Sequence, residues 1–230
     1  MTPSGNEFLS APISRRWDLL AAAPLILLSL VGIAGFGIQI YRDWPVAGFD
    51  ARLQAATQFA GALYLAQKIY LLSVRRLPQL RIADNRVRAF CLLAANFELS
   101  LLLLPKLRPP PGQAMLSAIL LLAGTAASIL VLHALGRSFA VFPQARILVT
   151  RGPYRFVRHP LYVMEEISAL GLSLIFVQPW GLLVAGISFL LQFPRMRFEE
   201  AVLVRAFPEY AAYARRTPRF LPFLQSGINR

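Results

Sequence analysis

Two clusters of charged and aromatic side chains are equipped for chemistry in this sequence. The first is Arg151–Tyr162, which reads Arg-Gly-Pro-Tyr-Arg-Phe-Val-Arg-His-Pro-Leu-Tyr. It gathers Arg151, Tyr154, Arg158, His159 and Tyr162 in one short stretch. The second is Arg195, Arg197, Glu199 and Glu200, and the block 167–194 between the clusters carries no charge. Acids, bases and aromatics together suit a ligand with both charge signs and a flat ring. A carboxylate holds its cationic end, a guanidinium or imidazole its anionic end, and tyrosine faces pack against the ring. The same residues also suit a salt-bridged cap that neutralises helix ends, and residue types alone leave both readings open.

The elements that must position these clusters are membrane helices. The chain is 57% hydrophobic and only 15% charged, where a soluble domain carries roughly a quarter charged residues. The apolar residues fall in long blocks, as in a polytopic membrane protein. Uncharged or nearly uncharged spans are predicted at 19–41, 53–74, 89–105 and 113–135. The block 167–194 is interrupted by Gln178-Pro179-Trp180-Gly181, a turn signal with an interfacial tryptophan. It therefore reads as a helical hairpin, with its first leg starting at Pro160 and its second running to about Pro194. Gly152-Pro153 and His159-Pro160 punctuate the first cluster as an ordered loop that delivers Tyr162 onto the first turn of a helix. After Arg195, the residues Val202, Leu203, Ala206, Phe207 and Tyr210 recur at helical spacing, so an amphipathic helix follows the hairpin. The fold class expected is all-α: an integral membrane protein of about six transmembrane helices, with a cytoplasmic loop and an amphipathic C-terminal helix. Residues 1–132 form a four-helix region, and residues 133–230 carry the candidate site.

The net charge of +13 does not point to nucleic acid. The arginines crowd the short connections 75–88 and 137–158 and the two ends, while 42–52, 105–112 and 178–181 are weakly charged. Six spans with both termini in the cytoplasm put every basic segment on one side, as the positive-inside rule requires. The same arginines attract anionic lipid head groups. Twenty-two of the 24 basic side chains are arginine, a bias that suits a bacterial inner membrane. Trp44 reads as an interface anchor. Glu98 is an acid within a span; it should either bond Lys68 or a neighbouring span, or serve a substrate pocket. His133 reads as a helix-end residue and Cys91 as a small apolar filler. Ala60-Gly61-Ala62 and Gly32, Gly35 and Gly37 form small-residue faces for helix packing, including packing between protomers.

The order of residues resembles the isoprenylcysteine carboxyl methyltransferase family, together with related phospholipid and thiol methyltransferases. The resemblance covers about 133–222. It rests on Leu148-Val149-Thr150-Arg151-Gly152-Pro153-Tyr154, then Arg158-His159-Pro160-Leu161-Tyr162, then, after the hairpin, Arg195-x-x-x-Glu199-Glu200 with Leu203, Phe207, Tyr210 and Tyr213, and finally Thr217-Pro218-Arg219-Phe220-Leu221-Pro222. The resemblance implies a membrane enzyme that methylates a lipophilic small molecule or lipid with S-adenosyl-L-methionine. It further implies that Arg146, Ile147, Leu148, Val149, Tyr154, His159, Pro160, Leu161 and Tyr162 line the cofactor, with Gln144 beside them. Glu199, next to Glu200, would bind the cofactor, and Arg195 would sit on the substrate side. No metal is implied. The sequence departs from the family's pattern at Met164, where a small residue is usual, at Glu165 and Glu166, where apolar residues are usual, and at Arg146, where histidine is frequent. Two other classes fit the C-terminal architecture: a sterol-type reductase with a nicotinamide cofactor, and a membrane scaffold without catalysis.

Overall fold

A computed structural model describes residues 8–9, 14–43 and 48–220; Trp44 and the tail beyond Phe220 lie outside the described residues. The chain folds mostly as helix. In order, these are α1 (Arg15–Arg42), α2 (Phe49–Val74), α3 (Asn85–Ala95), α4 (Pro111–Leu135), α5 (Pro160–Ser173), α6 (Trp180–Ala206) and α7 (Tyr210–Arg216). Among the described residues two helical stretches are long and apolar enough to cross a membrane, Arg15–Arg42 and Pro111–Ser138, each with a mean hydropathy of 2.4. Both keep most of that apolar surface on the outside, as Leu27, Val31 and Leu130 do. Helices that turn leucine outward are solvated by hydrocarbon rather than water.

The hairpin forms as the Pro-Trp-Gly signal implies: α5 starts at Pro160, and the chain reverses between Ser173 and Trp180. Three expectations need correction. The second leg does not stop at Pro194; α6 runs through that proline to Ala206, so Arg195–Glu200 continue the apolar leg of the hairpin as one helix. The amphipathic segment breaks instead at Phe207, and Tyr210 opens a separate short helix. The third span is not one helix, because α3 ends at Ala95 and a tighter 3₁₀ helix carries Phe97–Leu103. The fold is also not purely helical. A small antiparallel sheet joins β1 (Phe8–Leu9), β2 (Leu80–Ile82) and β3 (Gln144–Ala145), with Phe8 opposite Ile82 and Leu80 opposite Ala145. Strands this short leave too little alternation to read in a sequence.

Small residues set how closely the helices approach. Gly32 faces Leu65 and Gly61 faces Phe36, so those two small-residue positions pack α1 against α2 within the chain. Gly35 and Gly37 have open space beside them. The α4–α5 contact is tighter still. A Cβ on Gly171 would come within 2.6 Å of the Leu121 backbone nitrogen and 2.8 Å of the Ser117 carbonyl oxygen. In return, the Ser117 hydroxyl donates to the Gly171 carbonyl at 2.6 Å. Gly171→Val is expected to destabilise the protein by roughly 1–3 kcal/mol through overpacking, read as a lower midpoint of thermal unfolding in detergent. An unchanged midpoint would mean that α5 slides freely on α4.

A buried ion cluster ties α1 to the sheet. Asp18 accepts from Arg75 Nε at 2.9 Å and from Arg146 Nη2 at 2.7 Å, and all three side chains are buried. Arg146 continues to Gln144 Oε1 at 2.6 Å and to the Arg76 carbonyl.

Candidate functional site

The loop 136–159 is folded by its own turn residues and by two flanking segments. Gly152 sits at φ +61°, a left-handed conformation that a side chain would strain. Arg137 donates to the Val74 carbonyl at 2.9 Å, and the Arg76 amide donates back to the Arg137 carbonyl at 3.0 Å, fixing the loop to the end of α2. On the other side, the amides of Arg158 and His159 donate to the carbonyls of Pro218 and Arg219 at 2.8 and 3.1 Å. The Tyr213 hydroxyl donates to the Tyr154 carbonyl at 2.6 Å. The loop is therefore an ordered wall between α2 and the C-terminal segment.

That wall, the start of α5 and the far end of α6 line a cavity that is partly open to the outside. Gln144, Ile147, Leu148, Val149 and Tyr154 line it from the loop. His159, Leu161 and Tyr162 line it from the entry of α5, and Arg195 and Glu199 from α6. The two clusters separated by the hairpin in sequence do meet. The Tyr162 hydroxyl donates to Glu199 Oε1, and the Arg195 guanidinium lies 4.8 Å from the Tyr162 ring centroid. Glu199 and Arg195 sit one helical turn apart on α6, with 3.7 Å between Glu199 Oε1 and Arg195 Nε. That separation is an ion pair without a hydrogen bond, and Arg195 Nε is buried with no hydrogen-bond partner. The other guanidinium nitrogens reach Gln192 Oε1 at 3.2 Å and the Val141 carbonyl at 3.3 Å.

Of the residues that the resemblance places at the cofactor, Arg146, Pro160 and Glu200 do not line the cavity, nor do Arg151 and Arg197 of the two charged clusters. The Arg146 guanidinium turns away to Asp18. Pro160 is the buried first residue of α5. Glu200, one residue and about 100° further round the helix than Glu199, faces away from the cavity and holds the corner of loop, α6 and tail. It accepts from Arg219 Nη2 at 2.7 Å, pairs with Arg158 Nη1 at 3.1 Å and lies 3.0 Å from His159 Nε2. Its part is to hold His159 and the tail in place.

Glu200 lies beyond the apolar leg of α6, and its titration carries a prediction. Burial alone would raise its carboxyl, but hydrogen bonds from His159 and Arg219 and the nearby Arg158 charge outweigh burial and hold it at about 2, against an ordinary 4.5. A carboxyl depressed in the folded state stabilises the protein fully above its unfolded value, and that contribution is lost as pH falls through the folded value. Glu200→Gln should therefore unfold at a lower temperature than the wild type at neutral pH. The gap should close as pH falls from about 4.5 toward 2, measured by thermal unfolding across that range. A gap constant with pH would show that the carboxylate charge contributes nothing.

The cavity also holds groups that residue types did not assign to it. Lys68 of α2 and Glu165 of α5 both line it. Tyr64 donates to Glu165 Oε1, and the Lys68 ammonium lies 5.1 Å from the Tyr64 ring centroid. The four-residue spacing of Tyr64 and Lys68 was the available signal, since it places both on one face of α2. Glu98 lies half-buried in the 3₁₀ helix Phe97–Leu103. His133 falls in the last turn of α4 with its side chain exposed, and Cys91 is fully buried.

Residues 113–210 match the phospholipid methyltransferase family, which belongs to the isoprenylcysteine carboxyl methyltransferase-like group. The chain is 46% identical over 78 residues to the cobalt-zinc-cadmium resistance protein CzcN of Cupriavidus metallidurans, covering 34% of this chain and 36% of that one. It is 42% identical over 78 residues to the nickel-cobalt-cadmium resistance protein NccN of Alcaligenes xylosoxydans xylosoxydans, covering 34% and 37%. The alignments thus span little more than a third of either relative's length. No solved structure matches.

Proposed function

Since residues 113–210 match the phospholipid methyltransferase family, we propose that this membrane protein transfers a methyl group from S-adenosyl-L-methionine to a lipophilic acceptor. The acceptor classes open to such a site are a carboxylate like that of an isoprenylcysteine, a thiol and a lipid amine. The observation that carries the reading is the Tyr162–Glu199–Arg195 constellation inside a cavity walled by the loop and α6. When bound, the cofactor supplies an electrophilic methyl on a sulfonium sulfur, together with an ammonium, a carboxylate and a flat purine.

The residues present fit that group. Glu199 is a carboxylate with an open share of surface, suited to the ammonium. The orphaned Arg195 Nε is a buried cation with a hydrogen bond still to make. Tyr154 and Tyr162 offer ring faces to a purine or a cation. Methyl transfer needs an acceptor that is ionised or neutral as its chemistry demands, desolvated and held in line with the methyl carbon, so positioning dominates. We assign Glu199 to cofactor binding, Arg195 to the acceptor side, and Glu200 to positioning His159.

The proposal includes six spans, a site on the cytoplasmic face and a bacterial inner membrane. It also includes protomer packing on the face of Gly35 and Gly37, beside which space is open. CzcN and NccN are resistance proteins of bacteria exposed to cobalt, zinc, nickel or cadmium, and the proposal takes that setting.

The test is calorimetric titration of the detergent-purified chain with S-adenosylhomocysteine, with a reduced nicotinamide cofactor in parallel. Micromolar binding of the first alone is expected. Binding of the nicotinamide alone would replace this reading with a reductase, and binding of neither, in a folded protein, with a scaffold.

A further inference from the structure

A polar stripe runs along α6. Ser188, Gln192, Arg195 and Glu199 recur every three or four residues, so they share one face of the helix. Arg195 and Glu199 open to the cavity, while Ser188 and Gln192 lie buried further along. Contacts fix what faces that buried end. Phe90 of α3 packs edge-on against Phe198 with ring centroids 6.3 Å apart, and the Gln192 side-chain amide donates to the Ala94 carbonyl at 3.4 Å. The two helices therefore run antiparallel. One turn beyond Ala94 comes Glu98, in the 3₁₀ helix, and one turn before Gln192 comes Ser188. The other leg of the hairpin converges on the same place. Glu166, one turn beyond Tyr162 on α5, lines an apolar groove between α5 and α6, whereas its neighbour Glu165 lines the cavity. The Ser188 side chain faces both Glu98 and Glu166.

Charge does not balance at this point. Arg195 pairs with Glu199, and Lys68 lies over the ring of Tyr64, which bonds Glu165. Among the described residues no ion pair reaches Glu98 or Glu166. Ser188 is wholly buried, and its hydroxyl completes no hydrogen bond. Two carboxylates without a counter-charge and a buried hydroxyl without a partner are costly together, and a cation bound among them reverses that cost.

We propose that Glu98, Glu166 and Ser188 bind a hard divalent cation, with calcium the best fit. The donor set is oxygen throughout, and two carboxylates match a double positive charge. Two bidentate carboxylates and one hydroxyl supply about five of the roughly 6–8 oxygens that calcium takes, whereas magnesium demands near-ideal octahedral geometry. Among the described residues no three His, Cys, Asp or Glu side chains cluster to hold a metal, so zinc and its like lack their nitrogen and sulfur ligands. The cavity supplies the way in, since Asn96 and Glu165 on its wall lie within two residues of Glu98 and Glu166. Bound there, the ion ties the end of α3 to both legs of the hairpin. The inference stands apart from the methyltransferase reading, which needs no metal.

The experiment is calorimetric titration of the detergent-purified full chain, stripped by a chelator, with calcium chloride. Magnesium, sodium and zinc chlorides are run in parallel, and thermal unfolding is followed on the same samples. One calcium per chain is expected, with a dissociation constant on the order of 10⁻⁵–10⁻⁴ M and a midpoint of unfolding that climbs with calcium concentration. Magnesium should bind at least about tenfold more weakly. Glu98→Gln and Glu166→Gln should each weaken calcium at least about tenfold, the order of one charged ligand. Without calcium, both variants should unfold no lower than the wild type, because each removes a repulsion. Glu165→Gln, one residue away on the cavity side, should bind calcium as the wild type does.

A folded wild type that binds no calcium overturns the site, as does binding that survives either Glu98→Gln or Glu166→Gln, or that is lost in Glu165→Gln. Sodium or zinc bound more tightly than calcium overturns the choice of ion. Either glutamine variant unfolding below the calcium-free wild type would show that the chain already satisfies these carboxylates, and would overturn the need for a cation. Titration of the chelated protein with S-adenosylhomocysteine checks the methyltransferase reading separately, so either can fail without the other.

Discussion

Replacing Asp18 with alanine is expected to cost the protein about 3–5 kcal/mol, the penalty for stranding buried charge. Asp18 is the carboxylate that both Arg75 and Arg146 reach, and all three side chains are almost wholly withdrawn from solvent. Arg75 also donates Nη2 to the Asp18 backbone carbonyl at 2.9 Å, so part of the clamp survives any change of side chain. What does not survive is the neutralisation of two guanidiniums. Asp18→Asn keeps the shape and one acceptor but loses the charge, and should fall between the wild type and alanine. Unfolding in detergent by heat or denaturant reads the effect. A loss below about 1 kcal/mol for alanine would place the cluster in the range of solvent-screened surface pairs.

The second large effect concerns binding rather than stability. Glu199→Ala should weaken S-adenosylhomocysteine by roughly 10–100-fold, because a hydrogen bond to a charged group contributes about 1.5–3 kcal/mol. Tyr162→Phe keeps the ring beneath the Arg195 guanidinium and removes only the hydroxyl that holds Glu199. Its loss should be smaller, a few-fold. Titration calorimetry on variants matched for thermal midpoint separates this from a structural cap. If the pair merely neutralised a helix end, both changes would lower the midpoint and leave affinity alone.

The hairpin, the loop and the meeting of Arg195 with Tyr162 were legible because each rests on local signals: proline and glycine positions, a charge-free block and an i,i+4 pair. Arg195 and Glu199 face the cavity for the same reason that the sequence pairs them, one helical turn apart. The misreadings share a different cause. Pro194 reads as a helix end in the sequence, yet α6 continues through it because packing against α3, α5 and the 3₁₀ segment outweighs the lost hydrogen bond. Arg146 was assigned to the cavity by its place in a motif, while its real partner, Asp18, is 128 residues away. No spacing rule reaches that far. Glu199 and Glu200 were indistinguishable as types; only the roughly 100° turn between helix neighbours sends one to the cavity and the other to His159 and Arg219. Glu165 and Glu166 divide between cavity and groove by the same rotation.

The Asp18 cluster also sets a schedule. Arg75 lies 57 residues after Asp18, and Arg146 lies 128 residues after it. At roughly 5–20 residues per second, the ribosome delivers Arg75 within seconds, and the first two helices then close on a neutral pair. Arg146 follows several seconds later, carrying β3 to the waiting edge of β2. The second guanidinium is thus a latch that arrives last. Until it is seated, β2 of the nascent chain has one edge unpaired and the cavity wall is unfinished, so the cavity closes only after the first helix has been revisited by the loop.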